Sequence, residues 1–148
     1  MIFLDSDIFV RDLRYPRDTL QPYNSRLLEL VKTKKQRACT SIFNLLEVCG
    51  ILSYNLNPNN LRDLYGDFTN HYGLKVLFPA DAQGTLDYDI TRIFLQIAKK
   101  QSLADAQIAY TVERFNKKIK TFVSWNAVHF KGKVSVPVKT PKELLEQF

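Results

Sequence analysis

Five short blocks along the chain have the length and apolar character of buried strands: residues 2–4, 37–40, 74–78 (closed by Pro79), 119–124 and 134–138. Between them, apolar residues recur at helical spacing. Residues 20–35 place Leu27, Leu28, Leu30 and Val31 on one face and end in Lys32, Lys34 and Lys35, charges that suit a helix C-terminus. SIFNLLEVCGIL, from Ser41, predicts an apolar helix, and Asn57-Pro58-Asn59-Asn60 breaks it. Leu61, Leu64, Tyr65, Phe68 and Tyr72 mark the next helix, a stripe read as packing. Leu86, Ile90, Ile93, Phe94 and Ile97 mark a long one. Helices are also predicted over residues 102–115 and 141–148. The stretch RDLRYPRDTLQPYN is polar and contains two prolines, which predicts a loop carrying Arg11, Arg14 and Arg17. Strands alternating with helices predict one α/β/α sandwich, a single domain over residues 1–148, around a mainly parallel sheet of four or five strands.

Composition narrows the class. A chain of 148 residues with 45% apolar content can bury a core without staples. No apolar run approaches the roughly 20 residues of a membrane span. No basic segment followed by an apolar one opens the chain, so a cytoplasmic protein is expected. Cys39 and Cys49 lack zinc-ligand spacing and read as free thiols. The net charge is +6, and residues 99–142 hold ten basic residues against only Asp105 and Glu113. That bias suits a polyanionic partner, nucleic acid or an acidic protein tail, and equally a solvated basic surface.

Acidic residues interrupt the apolar pattern at telling places. Asp5 stands at the carboxyl end of the first strand, where ligand sites form in parallel α/β folds. Glu47 lies inside an apolar helix, where an isolated charge costs several kcal/mol. Asp105 opens the helix after Ser102 among small residues. Each has a structural alternative: turn capping for Asp5 and Asp7, a capping box for Ser102 and Asp105, and a buried ion pair for Glu47. Converging carboxylates repel, however, and a Mg²⁺ or Mn²⁺ ion resolves that conflict with oxygen ligands. Asp7, two residues on, is an auxiliary polar candidate beside Asp5. Ser41 reads as an N-cap that could also orient a carboxylate or phosphate. Arg11 and Arg14 are candidates for holding RNA phosphates.

FLDSDIFV, TSIFNLLEVCGIL, SLADAQIAYT and FVSWNAVHF together resemble, in order and spacing, the motifs of the PIN-domain family, and especially its VapC-like toxins. The resemblance covers essentially the whole chain. It implies a Mg²⁺- or Mn²⁺-dependent endoribonuclease in which Asp5, Glu47 and Asp105 take the places of the family's principal acids. It also implies an RNA substrate, an antitoxin partner and a homodimer, with no membrane association. Asn126 and His129 stand where many members place a further Asp, which favours a single resting metal ion. Two other readings compete. The missing acid suits an RNA- or protein-binding module that does not cut. LDSDIFV also resembles the first motif of haloacid-dehalogenase-type phosphatases, but no acid follows FVSW before Glu143 to complete that site.

Overall fold

A computed structural model describes residues 1–148. Five strands form one all-parallel sheet: β1 (Ile2–Leu4), β2 (Ala38–Ser41), β3 (Lys75–Leu77), β4 (Thr121–Val123) and β5 (Val138–Lys139). Their spatial order is β3-β2-β1-β4-β5, so the chain starts centrally, builds outward on one side and then crosses to the other. The reversal leaves a crevice beyond the carboxyl ends of β1 and β4.

Seven helices cover both faces: α1 (Ser6–Arg14), α2 (Gln21–Lys32), α3 (Ile42–Leu52), α4 (Pro58–Tyr72), α5 (Ile90–Ile97), α6 (Leu103–Arg114) and α7 (Pro141–Leu145). Side-chain alternation along β1 separates two cores. Ile2 and Leu4 join Ile8, Phe9, Leu27, Val48 and Phe68 on one face. Phe3 joins Ile108, Val112, Phe122 and Phe130 on the other. No helix is long and apolar enough to cross a membrane. Both cysteines are free.

The structure departs from the sequence-based expectations at several element boundaries. The polar stretch after Asp5 does not begin as a loop, because α1 runs from Ser6 to Arg14. Its exposed face is charged while Ile8 and Phe9 are fully buried, and two apolar anchors in nine residues gave too little periodicity to mark a helix. Helix α2 stops at Lys32, and Lys34 takes a left-handed conformation with φ 59°. Helix α5 begins only at Ile90, after its N-cap Asp89, while Leu86 pairs antiparallel with Ala80. Strand β5 starts at Val138 because Pro137 has no N–H to give a ladder, although its carbonyl accepts from Phe122 N at 2.8 Å. Along α4 only Phe68 and Tyr72 are fully buried, their rings packed on Phe9 at 4.9 Å, whereas Tyr65 is half exposed.

Candidate active site

Asp5, Ser6, Asp7, Glu47, Asp105, Asn126 and His129 line one depression of about 220 Å³ at the carboxyl ends of the central strands. Three separate segments deliver its four carboxylates. Asp5 follows β1 directly and is the N-cap of α1, and Asp7 lies in the first turn of that helix. Glu47 comes from the middle of α3 and Asp105 from the first turn of α6. Asp7 stands beside Asp5, since one oxygen of each lies within hydrogen-bond distance of Ser124 Oγ. Ser102 accepts from Asp105 N at 3.1 Å, but no bond returns from the Asp105 carboxylate, so the capping box is half made and the carboxylate stays free.

Asp5 is almost completely buried. Its Oδ1 accepts from Ser6 N at 2.8 Å and Asn44 Nδ2 at 3.0 Å, while Oδ2 lies 2.7 Å from Ser124 Oγ. Ser124 Oγ also lies 2.9 Å from Asp7 Oδ2 and accepts from Asn126 N at 3.0 Å. The same N–H reaches Asp7 Oδ2 at 3.0 Å. Ser6 Oγ accepts from Asn44 Nδ2 at 2.9 Å and donates to Glu47 Oε2. Asn44 is held in turn by Ser41, whose hydroxyl and backbone N–H both donate to Asn44 Oδ1, at 2.5 and 3.3 Å. Ser41 is thus the N-cap of α3 and also aims Asn44, with Asn44 the group that reaches Asp5.

These surroundings disfavour the charged form of Asp5, Asp7 and Glu47. Burial, then the charge of Asp7, holds the Asp5 carboxyl well above the usual carboxylate range. Burial raises Asp7 as well, against hydrogen bonds from Ser124 and Asn126 that pull it down. Glu47 is raised by burial first and then by the nearby charges of Asp105 and Asp7, despite the Ser6 hydroxyl.

Arg11 and Arg14 do not line the depression. Both sit on α1 rather than in a loop; Arg11 pairs with Asp18 at 2.6 Å and lies over the Trp125 ring, and Arg14 lies over Tyr15. His71 packs edge-on against Tyr72, away from the acids. Ser6, Asn44 and Ser124 escaped sequence reasoning, since small polar residues carry no spacing signal. A larger groove of about 540 Å³ between α3 and α4, lined by Cys49, Leu56, Pro58 and Leu61, contains no carboxylate.

Apart from the His129 imidazole, the donors lining the depression are chiefly oxygens, the set a hard divalent cation takes. No three carboxylates stand close enough together to make a ready ligand set; Glu47 is engaged by Ser6, and Asp5 and Asp7 by Ser124. Asp7 Oδ1, however, is buried with no hydrogen-bond partner, an orphaned acceptor of the kind a cation satisfies. The donor chemistry fits Mg²⁺ or Mn²⁺.

No protein-family profile matches the chain, and no curated protein matches it. Solved structures do. FitAcB from Neisseria gonorrhoeae is similar at 21% identity and a TM-score of 0.61, covering 96% of this chain and 99% of that one. FitAB bound to an IR36 DNA fragment is similar at 21% identity and a TM-score of 0.59, covering 95% of each chain. Mycobacterium tuberculosis VapC20, a sarcin-ricin loop cleaving toxin, is similar at 16% identity and a TM-score of 0.53, covering 82% of this chain and 87% of that one. The chain has the PIN-like α/β/α fold of these proteins.

Proposed function

We propose that the protein is a Mg²⁺- or Mn²⁺-dependent endoribonuclease and the toxin of a toxin–antitoxin pair. One observation carries the reading: four carboxylates from three segments line a single depression at the carboxyl ends of parallel strands, and one of their oxygens is buried without a partner. The fold likeness to VapC20, itself a toxin that cleaves the sarcin-ricin loop, supports RNA as the substrate. The likeness to FitAB and FitAcB supports an antitoxin partner. The exposed apolar face of α5, where Ile90 and Phe94 are 68% and 63% exposed, supports a homodimer.

Asp5, Asp105 and Glu47 would hold the metal ion, with Asp7 and Asn126 beside them. When bound, the ion supplies Lewis-acid polarisation of a water and of the scissile phosphate. Asn44 and Ser6 fix Asp5 and Glu47 relative to each other, so α1 and α3 present their acids at one setting. Ser124 fixes Asp5 relative to Asp7. Glu47, set in the middle of α3 and held by the Ser6 hydroxyl, would complete the ligand set directly or through water. No Ser or His nucleophile is required.

The test is incubation of the chain with folded RNA while Mg²⁺ and Mn²⁺ are titrated. Cleavage is expected with either ion and none in EDTA, and Asp5→Asn, Glu47→Gln and Asp105→Asn should each slow it at least about a hundredfold. RNA bound but never cut, under any metal condition, would establish the binding module instead. Turnover of p-nitrophenyl phosphate without RNA cleavage would establish the phosphatase.

A further inference from the structure

Opposite the acidic depression, the chain enters its strands through basic junctions. All strands are parallel, so their amino ends lie side by side. Residues 33–37, TKKQR, lead into β2; Gly73, Leu74 and Lys75 lead into β3; residues 116–120, NKKIK, lead into β4. None of these segments contains an acid. The backbone binds them together: Met1 N donates to Lys118 O at 3.1 Å, Lys120 N to Met1 O at 2.9 Å, and Ile2 N to Arg37 O at 2.9 Å. Lys75 is in register with Cys39 on the neighbouring strand. Lys34 already has a role, since its Nζ donates to the Gly73 carbonyl at the end of α4.

Lys35, Arg37, Lys75, Lys117, Lys118 and Lys120 have no such occupation. All six are exposed, and the four salt bridges of the molecule lie elsewhere. At about 4.8 Å between strands, the charges from β3 to β4 span about 15 Å. Like charges within a Debye length or so repel one another, and a polyanion removes that cost. Favourable interaction with helix C-termini accounts for a cation or two here, not for six.

We propose that this basic end of the sheet is a second RNA-binding surface, separate from the cleavage depression, which grips the phosphate backbone of folded RNA. The proposal extends the ribonuclease reading above and rests on it for the identity of the polyanion. The surface lacks what other anionic partners need. None of the large exposed apolar side chains falls in these junctions, where Leu74 and Ile119 are buried, so neither lipid insertion nor a protein hot spot has an anchor. Phosphate contacts require only charge and position.

The test is binding of a fluorescent RNA hairpin in EDTA, where cleavage does not interfere, across a salt series. The variant K117Q/K118Q/K120Q should bind about tenfold or more weakly at low salt, with a log–log salt slope reduced by about 2. R17Q/R26Q/R62Q removes the same charge elsewhere and should bind like wild type. Cleavage of a short oligonucleotide in Mg²⁺ should be unchanged in both variants. The proposal is overturned if K117Q/K118Q/K120Q keeps its affinity and slope. It is also overturned if the control loses as much, which would leave net charge alone. A lowered Tm with unchanged RNA affinity would assign the lysines to helix ends. Binding of phosphatidylserine vesicles but not RNA would assign the surface to membranes. A chain that binds RNA through these lysines yet cuts none would overturn the ribonuclease reading and leave this one standing.

Discussion

Replacing Asp5 by Asn exchanges one carboxylate oxygen for an amide nitrogen at the most crowded point of the depression. Ser124 Oγ lies between Asp5 Oδ2 at 2.7 Å and Asp7 Oδ2 at 2.9 Å, and it already accepts from Asn126 N. A hydroxyl has one proton and cannot donate to both carboxylates. Without a cation, the acid left without that proton is favoured to bind one of its own, and burial together with the charge of Asp7 pushes the Asp5 carboxyl up. An Asn at this position keeps Oδ1 for Ser6 N and Asn44 Nδ2, and its own Nδ2 donates to Ser124, whose proton then goes to Asp7. The contest over the Ser124 proton ends with no extra proton. Relieving a buried polar conflict of this kind is worth about 1–3 kcal/mol. For a chain of this size that is a rise in Tm of roughly 3–10 °C.

The sign with pH follows from proton binding. An acid raised in the folded state binds more protons there than in the unfolded chain, so stability falls as pH rises from the unfolded value through the raised folded one. Thermal denaturation in EDTA should thus show wild type losing stability as pH rises through that interval, with Asp5→Asn losing less and melting higher at neutral pH. Magnesium at ten times its Kd should add about 1.4 kcal/mol to wild type and much less to the variant. A variant that melts below wild type at neutral pH in EDTA, or that shows the same pH slope, refutes the account of Ser124 as a contested donor.

Two further substitutions probe the supports of the site. Ser124→Ala removes the one hydroxyl proton the two acids contest; urea denaturation in EDTA at neutral pH should show a loss of about 1–3 kcal/mol, and stability should decline more steeply with pH than in wild type. Phe68→Ala removes a fully buried ring packed on Phe9 and Tyr72, and should cost about 3–5 kcal/mol by urea midpoint while the cleavage rate per folded molecule stays unchanged.

The architecture was legible because parallel strands are buried on both faces and leave plain apolar blocks, as with Ile2–Leu4 at the centre of the sheet. Boundaries failed where one residue overrode the local pattern. Pro137 delayed β5, Asp89 set the true start of α5, and the sparse anchors Ile8 and Phe9 hid α1. The acids stood out in sequence because a charge among apolar neighbours is conspicuous. Their partners did not, because Ser6, Asn44 and Ser124 look like any small polar residue until the fold sets them between carboxylates from distant segments. Contacts spanning 38 to 119 positions carry no local periodicity to detect.

Capping and chemistry, which compete as explanations of the same acids in sequence, prove compatible in the fold. A carboxylate has two oxygens. Asp5 uses Oδ1 to cap α1 by accepting from Ser6 N, while Oδ2 takes part in the contest over Ser124. In the first turn of α6 the backbone N–H of Asp105 satisfies the cap through Ser102 and leaves its carboxylate uncommitted. The structural role fixes where each acid starts from, since an N-cap stands at the junction of strand and helix, at the carboxyl edge of a parallel sheet. The N-termini of α1 and α3 lie there because β1 and β2 deliver the chain to that edge, α6 begins there after α5, and the positive ends of helices favour nearby carboxylates. Local caps therefore place Asp5 and Asp105 at that edge while Glu47 reaches it from the middle of α3, and the repulsion among them is a cost that the proposed metal ion would remove.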